Sequence, residues 1–309
     1  MKLSRKIGHT LTRGKMALYG HVLNPLWLSS ERRRAIRSAA FGKIIPSYLE
    51  KHCLAAVGTV PVTPPPGQGD SPEKIFSIWF QGEENAPEVV KSCFASIRKH
   101  CSQELVVLDS NTLPDYIELP KPIVEKFRQG KIGYAHFSDL CRVELLYRYG
   151  GYWLDATAFV TGPVPDVIAD TSFFVYRTGH RISGYYSYIQ NCFIHARKGE
   201  WLLEAWRAMM LAYWMDEDSR VDYFQHQLMF KTLVTRNAEA RRRFEAMPMI
   251  DHDLNHLLWY DLGGSPACPE RISEMIPAEN FFQKTSARDK NFVPGSWRDW
   301  IAHQVPSVE

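Results

Sequence analysis

Residues 134–160 of the chain read YAHFSDLCRVELLYRYGGYWLDATAFV, and the change of pattern within this segment decides the predicted fold. Apolar side chains first recur at helical spacing without an internal glycine or proline, which predicts a helix over 134–149. Gly150 and Gly151 follow, and glycine favours the left-handed conformation in which helices commonly end. The remaining residues are mostly apolar, aromatic or β-branched, which predicts a strand over 152–160.

Three charged residues stand out inside this segment, because a charge is costly to bury without a partner. Asp139 and Arg142 are three residues apart, so they share one face of the predicted helix. Asp155 and Thr157 interrupt the apolar strand. A residue that contradicts its local pattern is typical of a functional site. Two structural alternatives stay open: an ordinary helix ion pair for Asp139 and Arg142, and a turn-capping role for Asp155.

The residues before this segment predict the start of a parallel sheet. Strands are expected over 74–80 and 104–109, with a helix over 87–100 between them. A strand–helix–strand order at this spacing favours parallel pairing. Ligands bind at the carboxyl ends of such strands. Three polar residues lie there: Gln81, Asp109 and Asn111.

The residues after the central segment predict further elements of the same α/β class. Strands are expected over 172–177 and 188–196, separated by a tyrosine-rich loop. Helices are expected over 198–215 and in the segment 222–230.

The motif SDLCRVELLYRYGGYWLDAT, residues 138–157, resembles the sugar-nucleotide signature of the capsular polysaccharide synthesis family. That family is related to glycosyltransferase family 32 and to the bacterial glucosylating toxins. Its pattern is an Asp, an Arg three residues later, a double glycine, an aromatic residue and Asp-x-Asp. The corresponding residues here are Asp139, Arg142, Gly150, Gly151, Trp153 and Asp155. Thr157 departs from the pattern, because it replaces the second Asp of the pair.

The resemblance, strongest over residues 73–162, implies both a fold and an activity. The fold is an α/β, Rossmann-like glycosyltransferase A type with a mostly parallel central sheet, over residues 71–309. The activity is transfer of a hexose from a nucleotide sugar, a UDP-sugar, onto a capsular or other surface polysaccharide, with retention of anomeric configuration. An alternative is a non-catalytic nucleotide- or glycan-binding partner in a polysaccharide assembly complex.

The resemblance also implies roles for individual side chains. Asp139, Arg142 and Asp155 would be catalytic. Lys284, in the segment FFQKTS, resembles the family's C-terminal lysine motif and would contact the diphosphate. The implied donor-binding set is Trp79, Asp139, Arg142, Trp153, Asp155 and Lys284. Trp79 would lie near the uracil, although its sequence context alone favours a core aromatic residue. The candidate acceptor-binding residues are Asn191, Asp222 and His226.

A divalent cation is the expected cofactor, because a carboxylate-bound cation can neutralise a leaving diphosphate. Asp155 and Thr157 are the candidate ligands for Mn²⁺ or Mg²⁺, which prefer oxygen donors. Thr157 offers a hydroxyl in place of a carboxylate, so it would bind the metal directly, through water or not at all. His252 and His256 have the spacing of a zinc pair but lack an HExxH motif and a third ligand, which favours structural histidines.

No glycine-rich phosphate loop is present, which argues against ATP, GTP or NAD chemistry. Six cysteines without a CxxC pair indicate free thiols in a reducing compartment. The N-terminus lacks the apolar core of a signal peptide, and no apolar run is long enough for a spanning helix. We therefore expect a cytoplasmic catalytic body.

Charge is distributed unevenly along the 309 residues. The net charge is +3, but residues 1–51 carry eleven Lys and Arg against two Glu, a balance of +9. We expect a basic helical extension over 1–60, a proline-rich linker over 61–70 and the catalytic domain over 71–309. The extension has three interpretations: contact with an anionic membrane at the cytoplasmic face of the inner membrane, packing on the body, and nucleic-acid binding. Tyr19 and Trp27 favour the first, and no groove-reading motif supports the last.

Overall fold

The structure is a computed structural model that describes residues 2–18, 29–67, 73–181, 184–289 and 292–304. The strands are β1 (Ile75–Ile78), β2 (Leu105–Leu108), β3 (Gly151–Leu154), β4 (Ala158–Val160), β5 (Phe173–Arg177), β6 (Ile189–Ala196) and β7 (Phe282–Lys284). The helices are α1 (Lys2–Ala17), α2 (Ser30–Cys53), α3 (Glu88–His100), α4 (Leu113–Tyr116), α5 (Lys121–Arg128), α6 (Tyr134–Tyr149), α7 (Asp166–Ala169), α8 (Trp201–Asp216), α9 (Gln225–Arg236), α10 (Ala238–Ala246), α11 (Ile272–Met275) and α12 (Trp297–Ala302).

Five strands form the central sheet, in the order β2-β1-β3-β6-β5. β1 pairs in parallel with both β2 and β3, whereas β6 runs antiparallel to both of its neighbours, β3 and β5. The strands predicted over 74–80 and 104–109 pair in parallel, and the strand after the double glycine joins the same sheet, which confirms the α/β class. Because β1 and β3 are parallel, their carboxyl ends lie at the same edge, and the residues that follow Ile78 and Leu154 come close together.

The helix and the double glycine behave as predicted. α6 ends at Tyr149, and the next two residues have positive φ, +70° at Gly150 and +95° at Gly151. A Cβ atom on Gly151 would lie 2.4 Å from the carbonyl oxygen of Lys74, the residue before β1. Only a residue without a side chain allows β3 to start this close to its neighbour.

The single strand predicted over 152–160 is wrong. The chain leaves the sheet after Leu154, turns through Asp155 to Thr157, and continues as β4, which pairs antiparallel with β7 in a separate two-stranded sheet. The Ala158 amide closes the turn on the Asp155 carbonyl oxygen at 2.9 Å. The turn allows the polar side chains of Asp155 and Thr157 to contact partners outside the central sheet. In a continuous strand both side chains would be buried in that sheet without those partners.

The N-terminal helices pack on the body of the protein. α2 contacts α8 and α9, and its buried residues Ile45, Tyr48, Leu49 and Cys53 join the same hydrophobic core as the sheet. The Tyr48 hydroxyl donates to Glu217 Oε1 at 2.8 Å. The division at residues 61–70 stays a prediction, and Tyr19 and Trp27 lie outside the described residues. Within the described ranges, no helix is both long and apolar enough to cross a membrane.

We predict that Gly151→Ala destabilises the fold by at least about 2 kcal/mol, because alanine combines strained backbone with a clash against β1. Gly162→Ala is the matched control, since nothing lies within 4 Å of its added Cβ atom. Urea unfolding of both variants measures the difference. Equal unfolding midpoints would contradict the close approach of β3 to β1.

Candidate functional site

A cavity of about 260 Å³ opens at the carboxyl ends of β1 and β3. α6, β6, α9 and the turn after β3 supply the rest of its wall. Seven of the residues singled out in the sequence line it: Trp79, Asp139, Arg142, Trp153, Asp155, Thr157 and Asn191. The fold therefore brings together residues that are spread over more than a third of the chain.

Arg142 lies between the two aspartates of the motif. Its Nη2 atom is 3.2 Å from Asp139 Oδ1 and 3.4 Å from Asp155 Oδ1. Nη1 donates to the backbone carbonyl of Asn191, and the guanidinium lies 4.9 Å from the centre of the Trp153 ring. A planar guanidinium held on four sides has one orientation, which fixes the distance between the two carboxylates.

Asp139 is buried and accepts bonds from several side chains. Its Oδ1 atom is 3.0 Å from Asn191 Nδ2 and 3.2 Å from His226 Nδ1, and Oδ2 is 3.5 Å from His136 Nδ1. Burial by itself would raise the pKa of Asp139, but its interactions with the His226 ring and the Arg142 guanidinium hold the pKa well below its usual range. Burial lowers the pKa of His226, so Arg142 is the cation that balances Asp139 at neutral pH.

Asp155 is held by groups from both sheets. Oδ1 accepts from Trp153 Nε1 at 2.9 Å, and Oδ2 pairs with the Lys284 ammonium at 2.7 Å. Burial opposes ionisation, but Lys284 and Arg142 lower the pKa of Asp155. Lys284 lies on β7 opposite Ala158 and also donates to Thr157 Oγ1 at 2.7 Å. Lys284, predicted only as a diphosphate contact, thus binds the central motif itself.

A sequence model of the capsular polysaccharide synthesis protein family matches residues 30–291. This chain belongs to that family. One relative, the O-glycosyltransferase PaGT of Phomopsis amygdali, is 28% identical over 181 residues, which is 52% of this chain and 43% of the relative. The aligned region thus spans less than half the length of that relative. A solved structure, the PaToxG glycosyltransferase, is similar with a TM-score of 0.40 and 12% identity, covering 68% of this chain and 84% of that chain.

The two predicted metal ligands of this family member do not fit a divalent cation in the observed arrangement. Asp155 Oδ2 and Thr157 Oγ1 both bind the Lys284 ammonium, each at 2.7 Å. Asp155 Oδ1 accepts the Trp153 indole N–H. Across the described ranges, no three His, Cys, Asp or Glu side chains are grouped so that they could hold a metal ion.

Other predicted residues lie away from the cavity. Asp222 accepts from the Tyr185 hydroxyl at 2.7 Å and from the Phe224 amide at 2.8 Å. Asp109 closes its own turn by accepting the amides of Asn111 and Thr112, both at 2.8 Å. These contacts give both aspartates a local structural role.

Of the two histidines considered as a zinc pair, His252 is buried and His256 is partly buried. His252 Nε2 is 3.2 Å from Cys192 Sγ, and the rings of His252 and His256 are 4.6 Å apart. Burial lowers the pKa of both rings, that of His256 to about 4. Their contacts agree with the structural interpretation.

Four residues that the sequence reasoning missed also line the cavity: His136, Ser138, Tyr223 and Gln227. His136 is three residues before Asp139 on α6, so helical periodicity would have found it. Gln227 donates to Asn191 Oδ1 at 3.0 Å. Nothing in the sequence indicates this contact, because it depends on how α9 packs beside β6.

Several buried polar atoms at the cavity have no hydrogen-bond partner among the described residues: Trp79 Nε1, His136 Nε2 and Arg142 Nε. Folded proteins leave few buried polar groups unpaired. These three atoms lie around one cavity, where water or a polar ligand would supply the missing partners.

We predict that Asp139→Asn lowers the free energy of unfolding by about 3 kcal/mol at pH 7, because the variant leaves Arg142 short of a buried partner. The folded-state pKa of Asp139 is lowered, so its contribution is complete above the unfolded value of about 3.9 and is lost as pH falls. The difference from wild type should shrink as pH falls below about 4, by up to about 1.4 kcal/mol per pH unit. Urea unfolding across this range measures it, and a difference independent of pH would contradict the pairing.

Proposed function

We propose that this protein is a glycosyltransferase that moves a hexose from a nucleotide sugar, a UDP-sugar, onto a capsular or other surface polysaccharide. Membership of the capsular polysaccharide synthesis protein family supports the polysaccharide product. The name of the partial relative, an O-glycosyltransferase, supports the reaction class. The observation that carries the proposal is the convergence of Asp139, Arg142 and Asp155 on one cavity whose polar walls have unpaired groups.

The proposed reaction exchanges one bond to the sugar for another. The bond between the anomeric carbon and the diphosphate oxygen breaks, and its electron pair stays on that oxygen. The acceptor hydroxyl oxygen forms the new bond, and its proton passes to the leaving diphosphate. The transfer retains the anomeric configuration, as the sequence resemblance implies, and proton NMR of the anomeric signal of the product tests this.

Each charged group at the cavity has a task in this reaction. Arg142 and Asp139 offer directed donors and acceptors to the sugar hydroxyls. Trp79 offers an aromatic face and an unpaired N–H group to the base. The cationic side of the site, Arg142 with Lys284, favours the negative charge that develops on the leaving diphosphate. Asn191, beside Asp139, would contact the acceptor, and His226, which is buried and does not line the cavity, would position Asp139.

A second candidate function is a nucleotide- or glycan-binding partner without catalysis. Thr157, which replaces the second acidic residue of the family pattern, favours this alternative. Turnover separates the two functions, since a binding partner would respond to a nucleotide sugar without hydrolysing or transferring it.

We predict that a thermal-shift screen of nucleotide sugars identifies the donor, because a bound ligand stabilises the folded state by mass action. With that donor, Asp155→Asn should lower kcat/KM by about 100-fold or more because it releases Lys284, and Arg142→Lys should do so because lysine cannot reproduce the forked contact. Asp109→Asn is the matched control, since Asp109 also follows a strand of the sheet but only closes its own turn. Rates for Asp155→Asn equal to wild type would reject the assigned site.

The acceptor is proposed to be held at the cytoplasmic face of the inner membrane, within reach of residues 1–51. On α2, Arg32, Arg34 and Arg37 are exposed to solvent, and Leu11 on α1 is 60% exposed. Exposed basic residues on one of these helices and an exposed apolar residue on the other favour an anionic membrane surface.

We predict that the full chain co-sediments with anionic vesicles at low salt and is released at high salt. Changing Arg32, Arg34 and Arg37 to Gln should weaken binding by up to about two orders of magnitude, because each contributes up to about 1 kcal/mol. The control changes three exposed lysines of the body to Gln: Lys99, Lys121 and Lys131. Full-length variants are needed because α2 belongs to the core. Equal losses in both triple variants would dismiss a specific role for α2.

A further inference from the structure

The Lys284 ammonium lies where a cation bridging Asp155 and Thr157 would lie. Its Nζ atom is 2.7 Å from Asp155 Oδ2 and 2.7 Å from Thr157 Oγ1. These are the two atoms with which the motif would otherwise bind a divalent metal. The chain therefore supplies its own cation at this place, the ammonium group of Lys284.

The backbone, not a flexible side chain, sets the position of Lys284. β7 pairs with β4 so that Lys284 is opposite Ala158, the residue after Thr157. The next residue, Thr285, fixes the register twice, because its amide and its hydroxyl donate to the Thr157 carbonyl at 2.8 and 3.0 Å. A lysine that lies on a paired strand, next to a residue held by two hydrogen bonds, is preorganised for its partners.

A metal ion at this place would have to displace the ammonium. Lys284 would then lose its carboxylate partner while only 21% of its side chain is exposed. Two other titratable groups act on its charge, Cys192 and Tyr260, and burial raises the pKa of both, so they are neutral at pH 7. Separating a largely buried ion pair is strongly unfavourable.

The ammonium also keeps a donor for a ligand. It has three N–H groups, and two of them are used by Asp155 and Thr157. The third is left for a ligand in the cavity, whose wall includes both partners of the ammonium, Asp155 and Thr157. Asp155 thus binds Lys284 as an acidic motif binds a metal ion. Thr157 suits this arrangement, because one carboxylate is enough to balance the single positive charge of the ammonium.

We propose that Lys284 replaces the divalent cation, so that this family member binds and cleaves its nucleoside diphosphate sugar without a metal ion. This inference rests on the proposed glycosyl transfer. As the bond from the anomeric carbon to the diphosphate oxygen breaks, the electron pair on that oxygen is stabilised by the Lys284 ammonium. The acceptor oxygen bonds to the carbon, and its proton goes to the diphosphate.

The first test uses the wild-type protein in excess EDTA and in Mn²⁺. We expect the same kcat/KM in both, and the same affinity for UDP by calorimetry. Titration of the protein with Mn²⁺ alone should give no binding that depends on Asp155. Turnover that is lost in EDTA and restored by Mn²⁺ would overturn the inference, as would Mn²⁺ binding that Asp155→Asn abolishes.

The second test exchanges the internal cation for an added one. Lys284→Met should lower kcat/KM by about 100-fold or more in EDTA, and Lys284→Arg should retain more activity because it keeps the charge. The double variant Thr157→Asp with Lys284→Met should bind Mn²⁺ and recover activity only in its presence. Lys74→Met is the control, because Lys74 forms an exposed pair with Glu104. Wild-type kcat/KM for Lys284→Met in EDTA would overturn the inference.

The two proposals fail in different ways. If no nucleotide binds and no sugar is transferred with or without Mn²⁺, the proposed glycosyl transfer is wrong. The Mn²⁺ titration needs no donor, so it decides by itself whether Asp155 and Lys284 exclude the metal.

Discussion

The Asp155 carboxylate is the charge on which the arrangement of the site depends. It lies where the chain leaves the central sheet, and it accepts from Trp153, pairs with Lys284 and faces Arg142. Arg142 in turn holds Asp139. Two anions and two cations therefore alternate in the order Asp139, Arg142, Asp155 and Lys284, and removing any one leaves a largely buried neighbour short of a charged partner. This mutual dependence keeps the site rigid before any ligand arrives.

Backbone geometry makes that alternation possible. The positive φ of Gly151 lets β3 approach β1, so that the carboxyl ends of both strands meet at the cavity. Three residues later the chain turns and starts a second sheet, and the partner strand in that sheet carries Lys284. The site is thus built where the two sheets meet. Each of its cations comes from a different layer of the fold, Arg142 from a helix and Lys284 from the small sheet.

The cavity combines charged side chains that have partners with polar atoms that lack a hydrogen-bond partner among the described residues. The ionised side chains have partners within the protein, whereas nitrogen atoms of Trp79 and His136 at the wall have none among the described residues. A binding site benefits from this division, because the charges need not reorganise when a ligand binds and the free polar atoms gain contacts. The packing of α2 onto α8 and α9 links the basic N-terminal region to the same core. A surface bound by α2 would therefore hold the body of the protein directly.

The sequence by itself determined the local elements and the identity of the motif. Helical spacing and the double glycine placed α6 and its end, and the strand–helix–strand order placed β1 and β2 in one parallel sheet, because these features depend on neighbours along the chain. Asp139, Arg142 and Asp155 could be chosen because charges contradict an apolar pattern. The break of the predicted strand at Asp155, the contact of Gln227 with Asn191 and the bridge from Lys284 to Thr157 were decided only by the tertiary structure. The residues of that bridge are more than a hundred positions apart, and only the pairing of β4 with β7 brings them within hydrogen-bond distance.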